Sequence, residues 1–345
     1  MVINSDASQG KQSREIPFPQ QQAKQFEQHQ RPTTLDKNDD ANDAELLNQL
    51  LTSYLHQESD KHNVALRFQH RINLARAWSI PANAGTTTIL DIGCGQGEAS
   101  LVLAALNNHG SITGIDTAPP GYGGPFTLIE AQAYISKNPL GQKIRFLASD
   151  APSLLLLRRG EPNEKETQFD AAVLCHSLWY FSSTETVSNL FGTLSVSGRV
   201  KRVCIAEYTG RASSPGQLPH ELACTAQSIL FRSKRPDPGR IQEWNVRTGL
   251  RPDDYVRIAA GNGWKVERSG VVAAPEGMID GHREAMMVGS GRFREEVKRE
   301  GLGVEVEEEV LRLSEDVRAL YQEVVDKGGK VRCMDTFWAV LVLDE

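Results

Sequence analysis

The feature that most constrains this chain is a short apolar run that leads into a glycine-rich turn. Residues 88–92 read Thr-Ile-Leu-Asp-Ile, Gly93, Gly95 and Gly97 follow, and an apolar, helix-forming run spans residues 99–106. The apolar, β-branched run predicts a buried strand. Glycines without side chains let a ligand approach the backbone of the turn, and the free N–H groups that open the following helix would point at that ligand.

The spacing of these glycines separates two kinds of nucleotide site. A dinucleotide fingerprint, G-x-G-x-x-G, requires a small residue at its third position for helix–strand packing, but the residues that would fill it are Glu98 or Ser100. What fits is an acid before the glycines, as D-x-G-x-G-x-G over residues 91–97. This pattern resembles motif I of the class I S-adenosylmethionine-dependent methyltransferases.

Strand and helix patterns alternate after the turn, which predicts a doubly wound α/β fold with a parallel sheet and right-handed crossovers. The resemblance implies a mostly parallel, seven-stranded sheet with an antiparallel last strand at its edge. Beyond residues 88–92, the predicted strands are 112–116, 143–150, 169–175, 200–207, 264–272 and 336–343.

Composition and apolar periodicity predict the organisation of the chain. Residues 1–43 are too polar to bury enough surface to offset the entropy cost of ordering them. Residues 44–81 place apolar residues at helical spacing. A charged segment at about 293–327 is expected to form a solvent-facing helical layer. The predicted parts are a disordered polar tail at 1–43, an N-terminal helical cover at 44–81, and a class I methyltransferase domain at 82–345 with insertions at about 210–262 and 280–330.

Charge and cysteine usage bear on partners and compartment. The 345 residues carry a formal net charge of -6 and no basic run, which argues against nucleic acid as a partner. The longest apolar run, residues 154–157, is far shorter than the ~18 residues of a membrane helix. Five cysteines without a C-x-x-C pair, and a start without a signal-peptide pattern, are typical of a cytoplasmic protein. We expect a monomer or homodimer without membrane partners.

Three carboxylates lie at or near predicted strand ends, where ligands bind in open α/β sheets: Asp91, Asp116 and Asp150. Asp116 follows the turn by about 20 residues, where an acid can take both ribose hydroxyls. The resemblance carries that role to Asp116 and recognition of the adenine amino group to Asp150, while Asp91 would order the turn and reach toward the donor's amino group. A single aspartate at a strand end is otherwise a turn former or helix cap.

The resemblance therefore implies S-adenosyl-L-methionine as the methyl donor. Arg67 and Arg71 of the helical cover could meet its methionine carboxylate, although we favour the alternative that they are solvated. The predicted donor-binding residues are Asp91, Gly93, Cys94, Gly95, Gly97, Asp116, Thr117, Asp150, Ala151, His176 and Trp179.

The acceptor side is expected where the fourth strand runs into His176-Ser-Leu-Trp-Tyr-Phe181. Aromatic faces attract a sulfonium cation, although core packing explains Trp179 and Phe181 equally well. No H-E-x-x-H spacing appears, so no metal site is predicted. The predicted catalytic residues are His176, Tyr180, Tyr208 and His220, with Glu207, Glu221 and His282 as further candidates, each of which has a structural role as its alternative.

Together these patterns predict methyl transfer from S-adenosylmethionine to nitrogen, oxygen or sulfur of a small organic molecule by in-line displacement. The N/D-P-P-Y/F tetrapeptide of amino and nucleobase methylators is replaced here by residues 176–179, which lowers nucleic acid as a substrate. The alternatives are a protein methyltransferase with an open, acidic groove, a catalytically idle donor-binding regulatory protein, and a nicotinamide-dependent reductase.

Overall fold

The computed structural model describes residues 37–80, 87–107, 109–156, 167–234 and 245–344, with backbone alone for 37–41. The predicted tail therefore lies mostly outside the described residues. Its last part does not: helix α1 begins at Lys37, inside the segment that we expected to be disordered.

A seven-stranded sheet forms the centre of the described part of the chain, with the strand order β3-β2-β1-β4-β5-β7-β6. Strands β1 to β5 pair in parallel, and the chain order reverses between β1 and β4. That reversal is the switch point at which open α/β sheets bind ligands. The strands are β1 Thr88–Ile92, β2 Ser111–Asp116, β3 Ile144–Ala148, β4 Ala171–Cys175, β5 Arg202–Tyr208, β6 Trp264–Val272 and β7 Thr336–Leu343.

The mostly parallel sheet with an antiparallel last strand is confirmed, but the expected place of that strand was wrong. Strand β7 pairs antiparallel with both β5 and β6, so that β6 and not β7 forms the edge. Burial explains the arrangement, because β7 is apolar and largely buried whereas much of β6 is exposed. An uninterrupted apolar run is typical of an interior strand, which is covered on both faces.

Local signals define the helix boundaries. Thr127 and Ser183 begin α4 and α6 with capping boxes, in which each side chain accepts a hydrogen bond from the residue at the third helical position. The helices are α1 Lys37–Ser53, α2 Lys61–Ala77, α3 Glu98–Leu106, α4 Leu128–Ser136, α5 Ala151–Leu155, α6 Thr184–Val196, α7 Leu218–Ser233, α8 Pro252–Ala260, α9 Asp280–Val288, α10 Gly291–Arg299 and α11 Val304–Asp326.

The charged segment expected over 293–327 consists of two helices and not one. Helix α10 ends at Arg299, and Gly301 follows with a φ of +63°, a conformation that glycine adopts without steric cost. Helix α11 starts again at Val304 and buries one side, including Val310 and Val317.

Both faces of the sheet are covered, as a doubly wound fold requires. Alternate residues of β1 belong to different cores: Leu90 and Ile92 to one, Ile89 to the other. The second core contains the helical cover, α1 and α2, where the rings of Tyr54 and Phe68 meet edge-to-face at 5.4 Å. The cover is therefore packed onto the sheet by fully buried side chains.

Four helices share a third core, and we call them the helical subdomain: α7, α9, α10 and α11. Its buried residues include Ala226 of α7, Ala285 of α9, Phe293 of α10 and Val310 of α11. Helix α8 packs instead against α6 and β6. The two predicted insertions are thus not independent, since α7 from the first packs with α9 to α11 from the second.

We expect Phe68→Ala to lower the free energy of unfolding by about 3–5 kcal/mol, because a fully buried ring is lost and a cavity remains. Urea unfolding would measure this change. The matched control is Val196→Ala, since Val196 is 76% exposed, and we expect a change within about 0.5 kcal/mol. Equal effects of the two substitutions would contradict the packing of the cover onto the sheet.

Candidate active site

The turn after β1 is held against β2. The backbone N–H groups of Gly93 and Cys94 both donate to the carbonyl oxygen of Ile115, at 2.9 and 3.1 Å. A Cβ at Gly97 would come within 2.8 Å of the Ile135 side chain, so this glycine faces the core. A Cβ at Gly95 would meet no atom within 4 Å, so this part of the backbone is open to a ligand.

Asp116, at the end of β2, fixes the open part of the turn. Its Oδ2 accepts a hydrogen bond from the N–H of Gly95 at 2.7 Å, and its Oδ1 accepts one from the N–H of Ala118 at 2.8 Å. From α4, Gln132 Nε2 donates to the carbonyl oxygen of Gly95 at 2.8 Å. The carboxylate predicted to bind ribose therefore also positions the glycine turn.

The other two aspartates occupy different environments. Asp150 lines the same cavity as Asp116 and caps α5, and the hydrogen bond from Ser153 N–H at 2.7 Å lowers the pKa of its carboxyl. Asp91 is 1% exposed beneath the turn and accepts a hydrogen bond from Ser100 Oγ at 2.5 Å. Burial raises the pKa of Asp91 to about 6. Asp91 does not line the cavity, so its proposed reach to the donor stays a prediction.

The helical cover contributes two buried arginines that converge on the first residue of α3. Arg67 Nη2 lies 2.6 Å from Glu98 Oε1, and Arg71 Nη2 lies 2.8 Å from Glu98 Oε2. The hydroxyl of Tyr54 donates to Glu98 Oε1 at 3.0 Å. Burial would raise the pKa of Glu98, but the two arginines and the tyrosine outweigh burial and hold that pKa below its usual value. We call these four residues the Glu98 cluster.

The favoured interpretation of Arg67 and Arg71 as solvated residues was wrong. Their side chains are 18% and 16% exposed, and both line the cavity beside the glycine turn. The Nε atom of each is buried and has no hydrogen-bond partner among the described residues. Each arginine therefore retains a donor for an anionic group.

Four aromatic rings meet in the same cavity. The ring of Tyr208 lies 4.6 Å from that of His176, 5.7 Å from that of Trp179 and 4.8 Å, edge-to-face, from that of His220. Tyr180 also lines the cavity and is 40% exposed. The four residues predicted as catalytic are thus brought together, although they come from three separate parts of the chain.

Two of these aromatic residues are held in one protonation state. Burial, with a contribution from nearby His176, lowers the pKa of His220 to about 3. Burial also raises the pKa of Tyr208 well above its usual value. Both side chains are therefore neutral near pH 7.

Most predicted site residues surround one cavity, and the exceptions have visible structural roles. Among the further candidates, Glu207 lines the cavity but Glu221 and His282 do not: Glu221 accepts from the N–H of Ala212, and His282 contacts the hydroxyl of Tyr321. Asp91 and Gly97 lie beneath the turn. The predicted residues that line the cavity are Gly93, Cys94, Gly95, Asp116, Thr117, Asp150, Ala151, His176, Trp179, Tyr180, Tyr208 and His220.

Sequence reasoning missed several residues of the site, among them Glu98 and His70. Glu98 directly follows the glycine turn, and its position as the first residue of a helix was a usable signal. His70 follows Arg67 by three residues along α2, a spacing that makes them neighbours on the helix surface, and it lines the cavity. Neither signal indicates a function without the tertiary structure.

The cavity has a volume of about 1310 Å³. Its walls are the carboxyl ends of β1, β2, β4 and β5, helix α2 of the cover, and α9 and α10 of the helical subdomain. The subdomain contributes Glu284, Met287 and Arg292. Glu284 accepts hydrogen bonds from Gln227 and Asn245, at 2.6 and 2.5 Å, and burial raises its pKa.

Neither a metal-binding cluster nor a membrane-spanning helix is present among the described residues. No group of three or more His, Cys, Asp or Glu side chains there could hold a metal ion. None of the helices there combines the length and the apolar character that crossing a membrane requires. The predicted compartment and oligomeric state stay predictions.

Comparison with known proteins identifies the family. No family model matches the chain. Two proteins of Diaporthe leptostromiformis, Methyltransferase phomM' and Methyltransferase phomM, are each 38% identical to it over 357 residues, which cover 88% of this chain and 91% of each relative. The chain belongs to the class I S-adenosylmethionine-dependent methyltransferases. It is an S-adenosylmethionine-dependent methyltransferase, which contradicts the reductase alternative.

A solved structure supports the fold of this methyltransferase. A cyclopropane-fatty-acyl-phospholipid synthase-like protein from Lactobacillus casei superposes with a TM-score of 0.69 at 25% identity, and the match covers 87% of this chain and 99% of that protein. The seven-stranded class I fold is thus shared over most of the methyltransferase.

The residues of the turn fit the methyl donor that the family implies. The backbone at Gly95 is free of side chains and open, carboxylates stand at the ends of β2 and β3, and two arginine Nε donors lack partners among the described residues. A nucleoside with two hydroxyls and an amino acid with a carboxylate need these same groups.

We expect Glu98→Ala to lower the free energy of unfolding by about 3–5 kcal/mol at pH 7, because Arg67 and Arg71 would keep their buried charges without a partner. The control is Glu323→Ala, whose exposed pair with Lys327 should contribute under about 1 kcal/mol. Urea unfolding would compare the two variants.

The stabilisation by Glu98 should depend on pH. Since the folded state lowers the pKa of Glu98, its contribution to the free energy of unfolding is present above the usual glutamate pKa and is lost as the pH falls.

We expect Asp116→Ala to weaken the binding of S-adenosylhomocysteine by ~2 kcal/mol or more, because it removes a charged hydrogen-bonding group and the anchor of Gly95. Isothermal titration calorimetry would measure the loss. Asp316→Ala is the control: Asp316 is an exposed residue of α11 that does not line the cavity, and the variant should bind as the wild type does. Unchanged affinity in Asp116→Ala would contradict the role assigned to this carboxylate.

Proposed function

We propose that this methyltransferase transfers the methyl group of S-adenosyl-L-methionine to nitrogen, oxygen or sulfur of a small organic molecule and releases S-adenosyl-L-homocysteine. One observation carries the proposal: the carboxylates at the glycine turn and the aromatic group around Tyr208 line one cavity. A donor at the turn and an acceptor beside the aromatic residues would therefore share a single cavity.

The donor's binding groups follow from the chemistry of the lining residues. Asp116 would accept from the ribose hydroxyls and Asp150 from the adenine amino group, as carboxylates do. Arg67 and Arg71 would offer their remaining N–H donors to the methionine carboxylate. The Glu98 cluster keeps both arginines in place, so the site is organised before any ligand arrives.

The residues around the proposed acceptor position would align the acceptor with the donor's methyl group and exclude water. When bound, the donor supplies an electrophilic methyl group on a sulfonium. Trp179 and Tyr208 offer aromatic faces, which stabilise a cation. Helix α2 and the helical subdomain cover the strand ends, so an acceptor held there would be positioned for in-line attack in a dry site.

The size of the cavity supports a small acceptor. Its volume of about 1310 Å³ exceeds the roughly 300–1,000 Å³ of an ordinary single-ligand site, which leaves room for an acceptor beside the donor. Specificity would come from Glu284, Met287 and Arg292, which line the cavity and belong to the helical subdomain and not to the glycine turn.

We expect the purified enzyme to release S-adenosylhomocysteine with at least one member of a panel of small amines, phenols and thiols. Mass spectrometry of the acceptor would identify the methylated atom, and Asp116→Ala would serve as the control for dependence on the donor site. Turnover with protein acceptors alone would favour a protein methyltransferase. Tight donor binding without turnover on any acceptor would favour an idle donor-binding protein.

A further inference from the structure

The backbone at the end of β4 holds His176 beside β5. His176 has a φ of +54°, in the left-handed region, and its N–H donates to the carbonyl oxygen of Ala206 at 2.8 Å. A residue other than glycine in this region costs on the order of 1 kcal/mol or more, although histidine tolerates it better than most residues. Strain of this kind persists where the surrounding structure fixes one backbone conformation. Here that conformation places the imidazole of His176 beside the carboxylate of Glu207.

Glu207 is oriented by the backbone around it. It is 2% exposed, its Oε1 accepts from the N–H of Tyr208 at 3.1 Å, and its Oε2 accepts from the N–H of Trp179 at 3.2 Å. Oε1 also lies 3.3 Å from His176 Nδ1. Both oxygens of Glu207 thus accept from backbone N–H groups, which is the arrangement of an ionised carboxylate. Such a carboxylate can only accept hydrogen bonds, so Nδ1 carries the hydrogen of this contact.

The tautomer of His176 follows from this contact. With the hydrogen on Nδ1, the neutral imidazole keeps its lone pair on Nε2. Nε2 is buried and has no hydrogen-bond partner among the described residues, while the side chain lines the cavity. A buried polar atom without a partner costs free energy, so a group of a ligand is the natural partner of this nitrogen.

The histidine on α7 has the opposite arrangement. Nδ1 of His220 accepts a hydrogen bond from the N–H of Met334 at 2.9 Å. A backbone amide cannot reverse its role, so the neutral ring of His220 carries its hydrogen on Nε2. Toward a ligand, His220 can only donate, whereas His176 can accept.

The remaining groups around His176 are poor proton acceptors. Burial holds the pKa of His70 well below its usual value and that of Tyr208 well above, so both stay neutral near pH 7. Glu98 is occupied by two arginines. The titratable and charged groups that face His176 or line the wall beside it are His70 and Arg71 from α2, Glu98 from α3, Cys175 from β4, Glu207 and Tyr208 from β5, and His220 from α7.

We propose that His176 Nε2 is the general base of the methyl transfer and that Glu207 is the positioning residue that fixes the tautomer of His176. The acceptor is then a hydroxyl compound or an amine whose attacking atom must lose a proton. This proposal rests on the proposed function. The lone pair of the attacking atom forms the new bond to the methyl carbon, and the pair of the broken carbon–sulfur bond returns to sulfur. The proton of the attacking atom passes to His176 Nε2, and Glu207 stabilises the resulting imidazolium.

The tautomer can be measured without any turnover. Long-range 15N–1H correlation spectra of the free enzyme, with His176 assigned by comparison with His176→Asn, should show that the neutral imidazole carries its hydrogen on Nδ1 and none on Nε2. Glu207→Gln should increase the fraction with a hydrogen on Nε2. A wild-type His176 that carries its hydrogen on Nε2 would overturn the proposal.

Kinetics test the base itself, with an acceptor taken from the panel above. Asparagine suits position 176 because it also tolerates the left-handed backbone. His176→Asn should lower kcat by about 10²–10⁴-fold and remove the acid limb of the pH profile, while KM and S-adenosylhomocysteine affinity change little. Glu207→Gln should lower kcat by about tenfold or more and keep the acid limb. Added imidazole should partly restore His176→Ala.

His282→Asn is the matched control, because His282 lies outside the cavity, and it should keep the kcat and the pH profile of the wild type. An unchanged kcat or a retained acid limb in His176→Asn would overturn the assignment of the base. Absence of turnover by the wild-type enzyme on every acceptor would overturn the proposed function instead, and the tautomer measurement would still decide the arrangement of His176 and Glu207.

Discussion

The ion pairs of Glu98 with Arg67 and Arg71 join the two parts of the molecule on which the site depends. Glu98 is the first residue after the glycine turn, and the arginines come from the helical cover. Buried charges are tolerated in folded proteins only when they are paired and hydrogen-bonded. These ion pairs therefore hold the helical cover beside the glycine turn, while the Nε of each arginine has no partner among the described residues. In the proposed function the same two side chains also bind the donor's carboxylate.

A second constraint is the pairing of neighbouring strand ends. Because β1, β2, β4 and β5 run in parallel, their carboxyl ends meet at one edge, and side chains distant in sequence share one cavity. Asp116 reaches the turn of β1 from β2, and Glu207 reaches His176 of β4 from β5. Each contact connects the end of one strand to the next, so the geometry of the site follows from the register of the sheet.

The helical subdomain accounts for the difference between this chain and a minimal class I domain. Helix α7 leaves the sheet after β5, and α9 to α11 precede β7, yet the four helices share one apolar core. The subdomain places His220 and Glu284 on the cavity wall. In the proposed function, the fold supplies the donor site and the helical subdomain supplies the groups that select the acceptor, as sites added to a shared fold do.

The glycine turn, the alternation of strands and helices, and the strand-end acids at 116 and 150 could be predicted from the amino-acid sequence, because they depend on local periodicity, glycine conformation and residue spacing. The place of β7 inside the sheet, the burial of Arg67 and Arg71, and their pairing with Glu98 could not. These features depend on long-range packing, since helical spacing shows which residues share a face and not what that face contacts. The protonation of His176 and His220 was likewise decided by distant partners, Glu207 on the next strand and the amide of Met334, which no local pattern encodes.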